Sequence, residues 1–383
     1  MKIAFESQLF LKGNKTGIAW CADNIIKELS KREECICNFF SFKYNDRQTE
    51  KVSQYKKYGV KLSECRWFHD VLYKIIWPIV PLPYSAFFKD DVDITQFFNC
   101  VVPPGVKGRS VVIVHDMAYK VCPETVRLKT KWWLHLTLKK SCNRADAIVT
   151  VSESSKADII KYLGVNANKI TVMPNGVDLH IFHNRYEKSA IDTIKAKYHL
   201  KSEYFLYLGT LEPRKNIPSL IRAYKQLLQI KDSLTVPQLV IAGGKGWLYD
   251  SIFNIVKELK LEENVLFTGY LDMEDVPKML CGATAFVFPS IYEGFGMPPL
   301  EAMACGAPVI TSNVSSLPEV VGDAGILVNP ESIDEICQAM GTLMTNSILR
   351  QELVKRGLER AESYTWENSA HILYSLYRKL MES

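Results

Sequence analysis

Two carboxylates, Glu293 and Glu301, bracket the run Glu293-Gly-Phe-Gly-Met-Pro-Pro-Leu-Glu301. Gly294 and Gly296 let the backbone approach a ligand closely. Pro298 or Pro299 suits the first turn of a helix, where a missing N–H costs nothing. That helix runs through Leu300-Glu-Ala-Met-Ala-Cys305, and Gly306 is placed to stop it. Free N–H groups at its start favour an anion, above all a phosphate. A carboxylate in the first turn can accept hydrogen bonds from sugar hydroxyls. The run therefore suits a ligand carrying both phosphate and sugar.

Arg214 and Lys215 lie in Gly209-Thr-Leu-Glu-Pro-Arg-Lys-Asn216, just after the apolar run Tyr204–Leu208. Taken alone, such a pair reads as a solvated basic turn. Here it has company. Four apolar runs end in small residues, at Gly209, Gly243-Gly244, Gly269 and Ser290. In open parallel sheets ligands sit beyond the carboxyl ends of the strands. A guanidinium that grips two oxygens and an ammonium beside it suit a diphosphate.

His115 follows the apolar run Val111–Val114. It lies at a strand's carboxyl end, where a neutral imidazole can donate one hydrogen bond to a sugar hydroxyl. Asp116 either orients that ring or caps the next turn. Ser152 reads as a helix N-cap, with Ser155 at the third helical position. Asp91-Val-Asp93 has the form of a metal-holding motif, but it enters the strand Ile94–Phe98 and reads as solvated. No metal site is expected.

The elements that must hold these groups alternate along the whole chain. Strands are expected at Lys2–Phe5, Cys37–Phe42, Ile94–Phe98, Val111–Val114, Ala147–Val151 and Lys169–Met173. A second series runs Tyr204–Leu208, Gln238–Ala242, Val265–Thr268, Ala285–Phe288, Val309–Thr311 and Ile326–Val328. Helical patterns lie between them, among them Ile18–Lys31, Lys131–Arg144, Pro218–Leu228 and Asp250–Leu259. This is the pattern of parallel sheets with crossover helices. Two series in 383 residues predict two doubly wound α/β domains. The boundary falls near Val177 to Glu203, after the turn cluster Pro174-Asn-Gly-Val-Asp178.

Composition narrows the class further. Apolar residues make up 47% and charged residues 23%, as in a soluble globular chain. A net charge of +5 is mild and gives no sign of nucleic-acid binding, though it permits weak attraction to anionic membranes. Ten scattered cysteines without a CxxC pair read as free thiols in a reducing cytoplasm. The N-terminus becomes polar too early for a signal peptide. Lys74, Pro78, Pro81 and Pro83 argue against a spanning helix in Val71 to Phe88. The aromatic stretch Trp67–Pro78 either packs on the first sheet or dips into a bilayer interface. Trp132 and Trp133, flanked by Lys129, Lys131, Lys139 and Lys140, pose the same choice.

Taken together, the Gly209–Asn216 run, Gly243-Gly244, the Glu293-to-Glu301 motif and Ala307-Pro-Val-Ile-Thr-Ser312 resemble the family 4 retaining glycosyltransferases (glycosyl transferases group 1). Thr16-Gly-Ile18, Val114-His-Asp116, Thr150-Val-Ser-Glu-Ser154 and Pro174–Asp178 add to the likeness in the N-terminal half. The resemblance implies the GT-B fold, two Rossmann-like domains facing across a cleft. An acceptor-side domain would span 1–180, and a donor-binding domain 200–365. The last helix, about 366–383, would return to the first domain.

The resemblance also implies roles. Arg214 and Lys215 would bind the donor diphosphate, and Glu301 the ribose hydroxyls. Glu293 would face the transferred sugar, with Phe295, Gly296 and Met297 lining the donor. Gly209 and Gly243 would border it. Gly17, in the loop after the first strand, would approach the diphosphate, and His115 the reacting centre. No cofactor or metal is implied. The Gly13–Ile18 loop and Val114-His-Asp-Met-Ala-Tyr119 are most similar to bacterial mannosyltransferases of cell-surface polysaccharide assembly, so GDP-mannose is the expected donor and UDP-linked sugars the second choice. The acceptor would be a glycan or lipid-linked hydroxyl, met in the cytoplasm or at the inner face of the membrane. A GT-B epimerase and a non-catalytic nucleotide-sugar binder are the competing readings.

Overall fold

A computed structural model describes residues 1–11, 17–43, 51–69, 72, 76–77, 80, 82–231 and 236–382. Thr16, the Gly13–Thr16 part of the loop cited above, and Lys74 and Pro78 of the aromatic stretch lie outside the described residues. The chain divides into two compact units. The first comprises Met1–Lys120, Leu128–Gly176 and Trp366–Ser383; the second comprises Val121–Arg127 and Val177–Thr365.

In the first unit the strands are β1 (Lys2–Glu6), β2 (Ile36–Lys43), β3 (Lys61–His69), β4 (Ile94–Phe97), β5 (Arg109–Ile113), β6 (Ala147–Thr150) and β7 (Ile170–Val172). They form one sheet in the order β3-β2-β1-β4-β5-β6-β7, every pair parallel. The interior strands β4 and β6 are buried at every residue, as a sheet covered on both faces requires. The order reverses between β1 and β4, which makes that junction the topological switch point. The helix Gly17–Ser30 follows β1, and the last helix, Trp366–Glu382, packs against it. Tyr377 pins that last helix from below: its buried Oη donates to Gln96 Oε1 at 2.7 Å.

β3 is absent from the expected strands. It is an edge strand with Lys61, Glu64 and Arg66 among its residues, so it shows no apolar run. Most of the described aromatic side chains near it go into the core. Phe88 stacks on Phe40 at 4.7 Å, and Tyr84, Phe87 and Trp77 are buried. Trp67 is the exception, 70% exposed with one face on Phe87.

The second unit holds β8 (Tyr204–Leu208), β9 (Gln238–Ala242), β10 (Val265–Gly269), β11 (Ala285–Phe288), β12 (Val309–Ser312) and β13 (Gly325–Val328). The order is β10-β9-β8-β11-β12-β13, again parallel throughout. The switch point here lies between β8 and β11. Residues 121–127, which the sequence reading places in the first domain, group with this unit. Trp247 Nε1 donates to the Thr125 carbonyl there at 3.0 Å.

Candidate active site

The site grows from the two strands that flank the second switch point. β8 ends at Leu208, and the chain then makes a single 3₁₀ turn over Pro213–Lys215. Pro213 presets the turn, and Asn216 closes it in the left-handed conformation (φ +55°) that asparagine tolerates. Asn216 Nδ2 also donates to the Pro330 carbonyl at 2.7 Å, which ties the turn to the sheet's far side. β11 ends at Phe288, and its loop bonds straight back: Ile291 N donates to the Arg214 carbonyl at 3.0 Å.

These two loops bring three charges together. Glu293 is only 7% exposed, and Lys215 only 8%. Lys215 Nζ donates to Glu293 Oε1 at 2.6 Å, and Arg214 donates to Glu293 Oε2 at 3.0 Å. Arg214 further donates to the Tyr292 carbonyl and to Glu212 Oε1, at 2.9 and 3.1 Å. Burial pushes the Glu293 carboxyl up, but the two cations outweigh it and hold the group below its ordinary value. Burial likewise pulls the Lys215 ammonium down from its ordinary value, against the pull of Glu293. The phosphate-gripping pair and the sugar-facing acid of the sequence reading thus form one ion cluster.

Glu301 stands on the other side of the turn, in the helix Met297–Ala304. Its carboxyl has no hydrogen-bond partner among the described residues. Burial pushes it up to about 8. The helix starts at Gly296, where φ is +119° and an added Cβ would meet Leu317 Cδ2 at 2.9 Å, so only glycine fits. Two of the first three helical residues are prolines, which corrects the expected set of free amides. Gly296 and Met297 carry N–H groups without acceptors among the described residues, while Pro298 and Pro299 have none to offer. Phe295 is buried against Tyr364.

Gly209 and Gly243 have a structural explanation. A Cβ on Gly243 would lie 1.9 Å from the Gly209 carbonyl oxygen. That close backbone approach requires glycine at Gly243, while at Gly209 (φ +156°) an added Cβ would lie 2.9 Å from Tyr207 Oη.

In the first unit, His115 lies two residues beyond the end of β5. Its Nε2 lies 3.0 Å from the Phe98 carbonyl, which can only accept, so Nε2 carries the proton. Burial lowers the ring's pKa, partly offset by that hydrogen bond and by Asp116, and the imidazole is neutral. This corrects the expected donor role: the ring's one N–H is committed to Phe98, and Nδ1 remains as an acceptor. Asp116 accepts from Ala118 N at 3.0 Å and caps the turn. Ser152 caps the next helix, accepting from Ser155 N at 3.0 Å. Gly17 is the exposed first residue of its helix rather than part of the preceding loop. Asp93 accepts from Lys2 N at 2.8 Å, a link at the strand entry. Among the described residues no group of three or more His, Cys, Asp or Glu gathers to hold a metal.

Ser315 and Ser316, which hold the Glu293 turn, are missed by sequence reasoning. Ser316-Leu-Pro-Glu319 reads as a helix-capping pattern, Ser followed three residues later by Glu. The structure shows no side-chain cap there.

Comparison with known proteins agrees with this architecture. Residues 16–181 match the family model described as Glycosyltransferase Family 4, and residues 190–360 that described as Glycosyl transferases group 1. The chain is 36% identical over 275 residues to O-antigen chain mannosyltransferase B of Escherichia coli, covering 71% of each. It is 33% identical over 241 residues to the serotype-specific mannosyltransferase WbdA of Escherichia coli, covering 63% of this chain but only 29% of that longer protein. The crystal structure of HepE from Anabaena, in complex with UDP and glucose, superposes with a TM-score of 0.76 at 19% identity, over 99% of this chain and 100% of that one. The chain belongs to the group 1, family 4 glycosyltransferases and has the GT-B fold. It is a hexosyltransferase, which sets aside the epimerase and the non-catalytic binder.

Proposed function

We propose that this hexosyltransferase moves a mannosyl group from GDP-mannose to a hydroxyl of a glycan or lipid-linked acceptor in cell-surface polysaccharide synthesis, with retention of configuration. The observation that carries the reading is the Arg214–Lys215–Glu293 cluster at the carboxyl ends of β8 and β11. Two adjacent cations there match a diphosphate. They would also neutralise the charge that develops as the nucleotide leaves, without calling on a metal. The mannosyl choice is supported by the relatives' names, both mannosyltransferases, one of O-antigen chains.

In this reading the donor diphosphate takes Arg214 and Lys215, aided by the Gly296 and Met297 amides, with Gly17 as a further diphosphate-binding residue. Phe295 lines the donor. Glu301 accepts from the ribose hydroxyls. Glu293 faces the sugar, and His115 Nδ1 accepts from a sugar hydroxyl. The C1–O bond to phosphate breaks on the face where the acceptor oxygen bonds. The acceptor's proton passes to the leaving phosphate oxygen, so no protein nucleophile is required.

The nucleotide is tested by thermal shift against GDP, UDP and ADP sugars, since a ligand of the folded state raises its melting temperature. GDP-mannose is expected to give the largest rise. A larger rise with a UDP sugar would replace the donor. The anomeric configuration of the product, read by NMR, tests retention.

A membrane-side acceptor is supported by the helix Leu128–Arg144. Leu128, Trp132 and Leu136 recur every fourth residue and are exposed, with Lys129, Lys139 and Lys140 exposed nearby. Trp133 turns inward onto Trp77. No helix among the described residues is long and apolar enough to cross a membrane. Peripheral contact at the inner, cytoplasmic face is therefore the form proposed. Co-sedimentation with anionic vesicles is expected and with neutral vesicles is not; equal binding to neither would end it.

A further inference from the structure

The loop that carries Glu293 is held by two hydroxyls from the segment after β12. Ser315 Oγ accepts from Glu293 N at 3.0 Å. Ser316 Oγ directs its single hydrogen at two carbonyls, those of Glu293 at 2.9 Å and Phe295 at 2.7 Å. Leu317, the next residue, fills the space where Gly296 lacks a Cβ. Three consecutive residues thus grip the turn from Glu293 to Gly296.

Two features mark this grip as more than a loop contact. Ser315 adopts φ +53°, a conformation uncommon for a residue with a side chain. Ser316 occupies the cap position of the helix Leu317–Val321 yet leaves that helix uncapped, and its fully buried hydroxyl points to the Glu293 loop instead. A local capping bond is given up for a bond to the site. Backbone held in a sparsely populated state, as at Ser315, clusters at functional positions.

We propose that Ser315 and Ser316 are positioning residues for the transfer reaction: they fix the backbone of Glu293 so that its carboxylate meets Lys215 and Arg214 and is presented to the donor sugar. The proposal rests on the reading that Glu293 faces that sugar. Neither serine touches the substrate in this account. Each acts through the main chain of Glu293, where small displacements of a reacting group lower the rate by about a hundredfold for 1 Å.

The test uses the full chain with GDP-mannose and, in parallel, UDP-glucose, following release of the nucleoside diphosphate. Ser316→Ala removes the shared hydrogen. Ser315→Gly removes the other hydroxyl while suiting the positive φ, so it keeps the fold even if Ser316→Ala does not. Both are expected to lower kcat by about ten- to a hundredfold with donor KM within about threefold. Ser316→Thr, which keeps the hydroxyl, is expected to recover most of the rate. Combining Ser315→Gly with Glu293→Gln is expected to add little to the loss of Glu293→Gln alone, because both act through one group. Additive losses, or a kcat unchanged in Ser315→Gly while Glu293→Gln is inactive, would overturn the clamp and leave the role of Glu293 standing. A fully active Glu293→Gln would remove the role of Glu293 and the clamp with it. Structure gives a second readout: the Lys215–Glu293 contact of 2.6 Å should be lost in crystals of Ser315→Gly, and its retention counts against the proposal.

Discussion

Glu293 and Glu301 are the same residue type in one short run, and the fold treats them in opposite ways. Glu293 is buried between a guanidinium and an ammonium and stays ionised below its ordinary range. Glu301 is half-buried with no cation or hydrogen bond at its carboxyl among the described residues, and burial pushes that carboxyl up to about 8. The difference teaches that a carboxylate's task is set by what the neighbouring loops bring to it. Glu293 is locked in charge and geometry, which suits a fixed electrostatic partner of a reacting sugar. The Glu301 carboxyl has no partner among the described residues, which suits a group that binds a ligand. Environments that push two acids apart in this way separate their chemical roles.

Removing the lock is expected to have the largest effect. Lys215→Ala should lower kcat/KM by about a hundred- to a thousandfold, the range for losing one preorganised charge donor. Glu293→Ala should abolish transfer and also destabilise the fold by about 3–5 kcal/mol, because Lys215 is left buried beside Arg214 without its anion. Steady-state rates and urea unfolding check the pair. Wild-type rates in either variant would dissolve the contrast between the two acids.

Gly296→Ala comes next. It forces a side chain into a left-handed backbone and against Leu317, at a cost of about 1–3 kcal/mol, with weaker nucleotide binding as the turn shifts. Calorimetric melting and GDP titration measure both.

Glu301 sharpens the comparison through pH. The unfolded chain releases this proton near 4.5, and the folded chain near 8. Between those values the folded state binds more protons, so its stability falls as pH rises from about 4.5 to about 8 and then levels. Glu301→Gln should erase that decline in a series of melting curves. The same substitution should remove a rise in nucleotide affinity toward pH 8, because in the proposed donor site the ionised carboxylate accepts from the ribose hydroxyls. Glu293, with its value lowered, behaves oppositely: its contribution is present above about 4.5 and lost in acid. The smallest effect is expected at Trp132→Ser, far along the chain from both acids. Stability should change by no more than about 0.5 kcal/mol, while binding to anionic vesicles drops.

Much of this fold is legible in the residues themselves. The expected strands all appear within a residue or two of their limits, because buried parallel strands read as short apolar runs. β3 escapes because an edge strand is half wet and charged. Residues 121–127 escape because nothing in a seven-residue connector tells which core it will join. At the site, the types and spacing of Arg214, Lys215, Glu293 and Glu301 point to phosphate and sugar. Ser316 is hidden by its own local pattern, which promises a helix cap.

The amino-acid sequence alone determined the two parallel α/β sheets, the glycine-bounded turn before Leu300 and the charged residues at the strand ends, since periodicity and backbone sterics act over a few residues. Only the tertiary structure decided that Lys215 and Arg214 meet Glu293, that the His115 N–H belongs to Phe98, and that Ser315 and Ser316 hold the turn. Those contacts join residues that are distant along the chain, and their geometry depends on which strands lie side by side in each sheet.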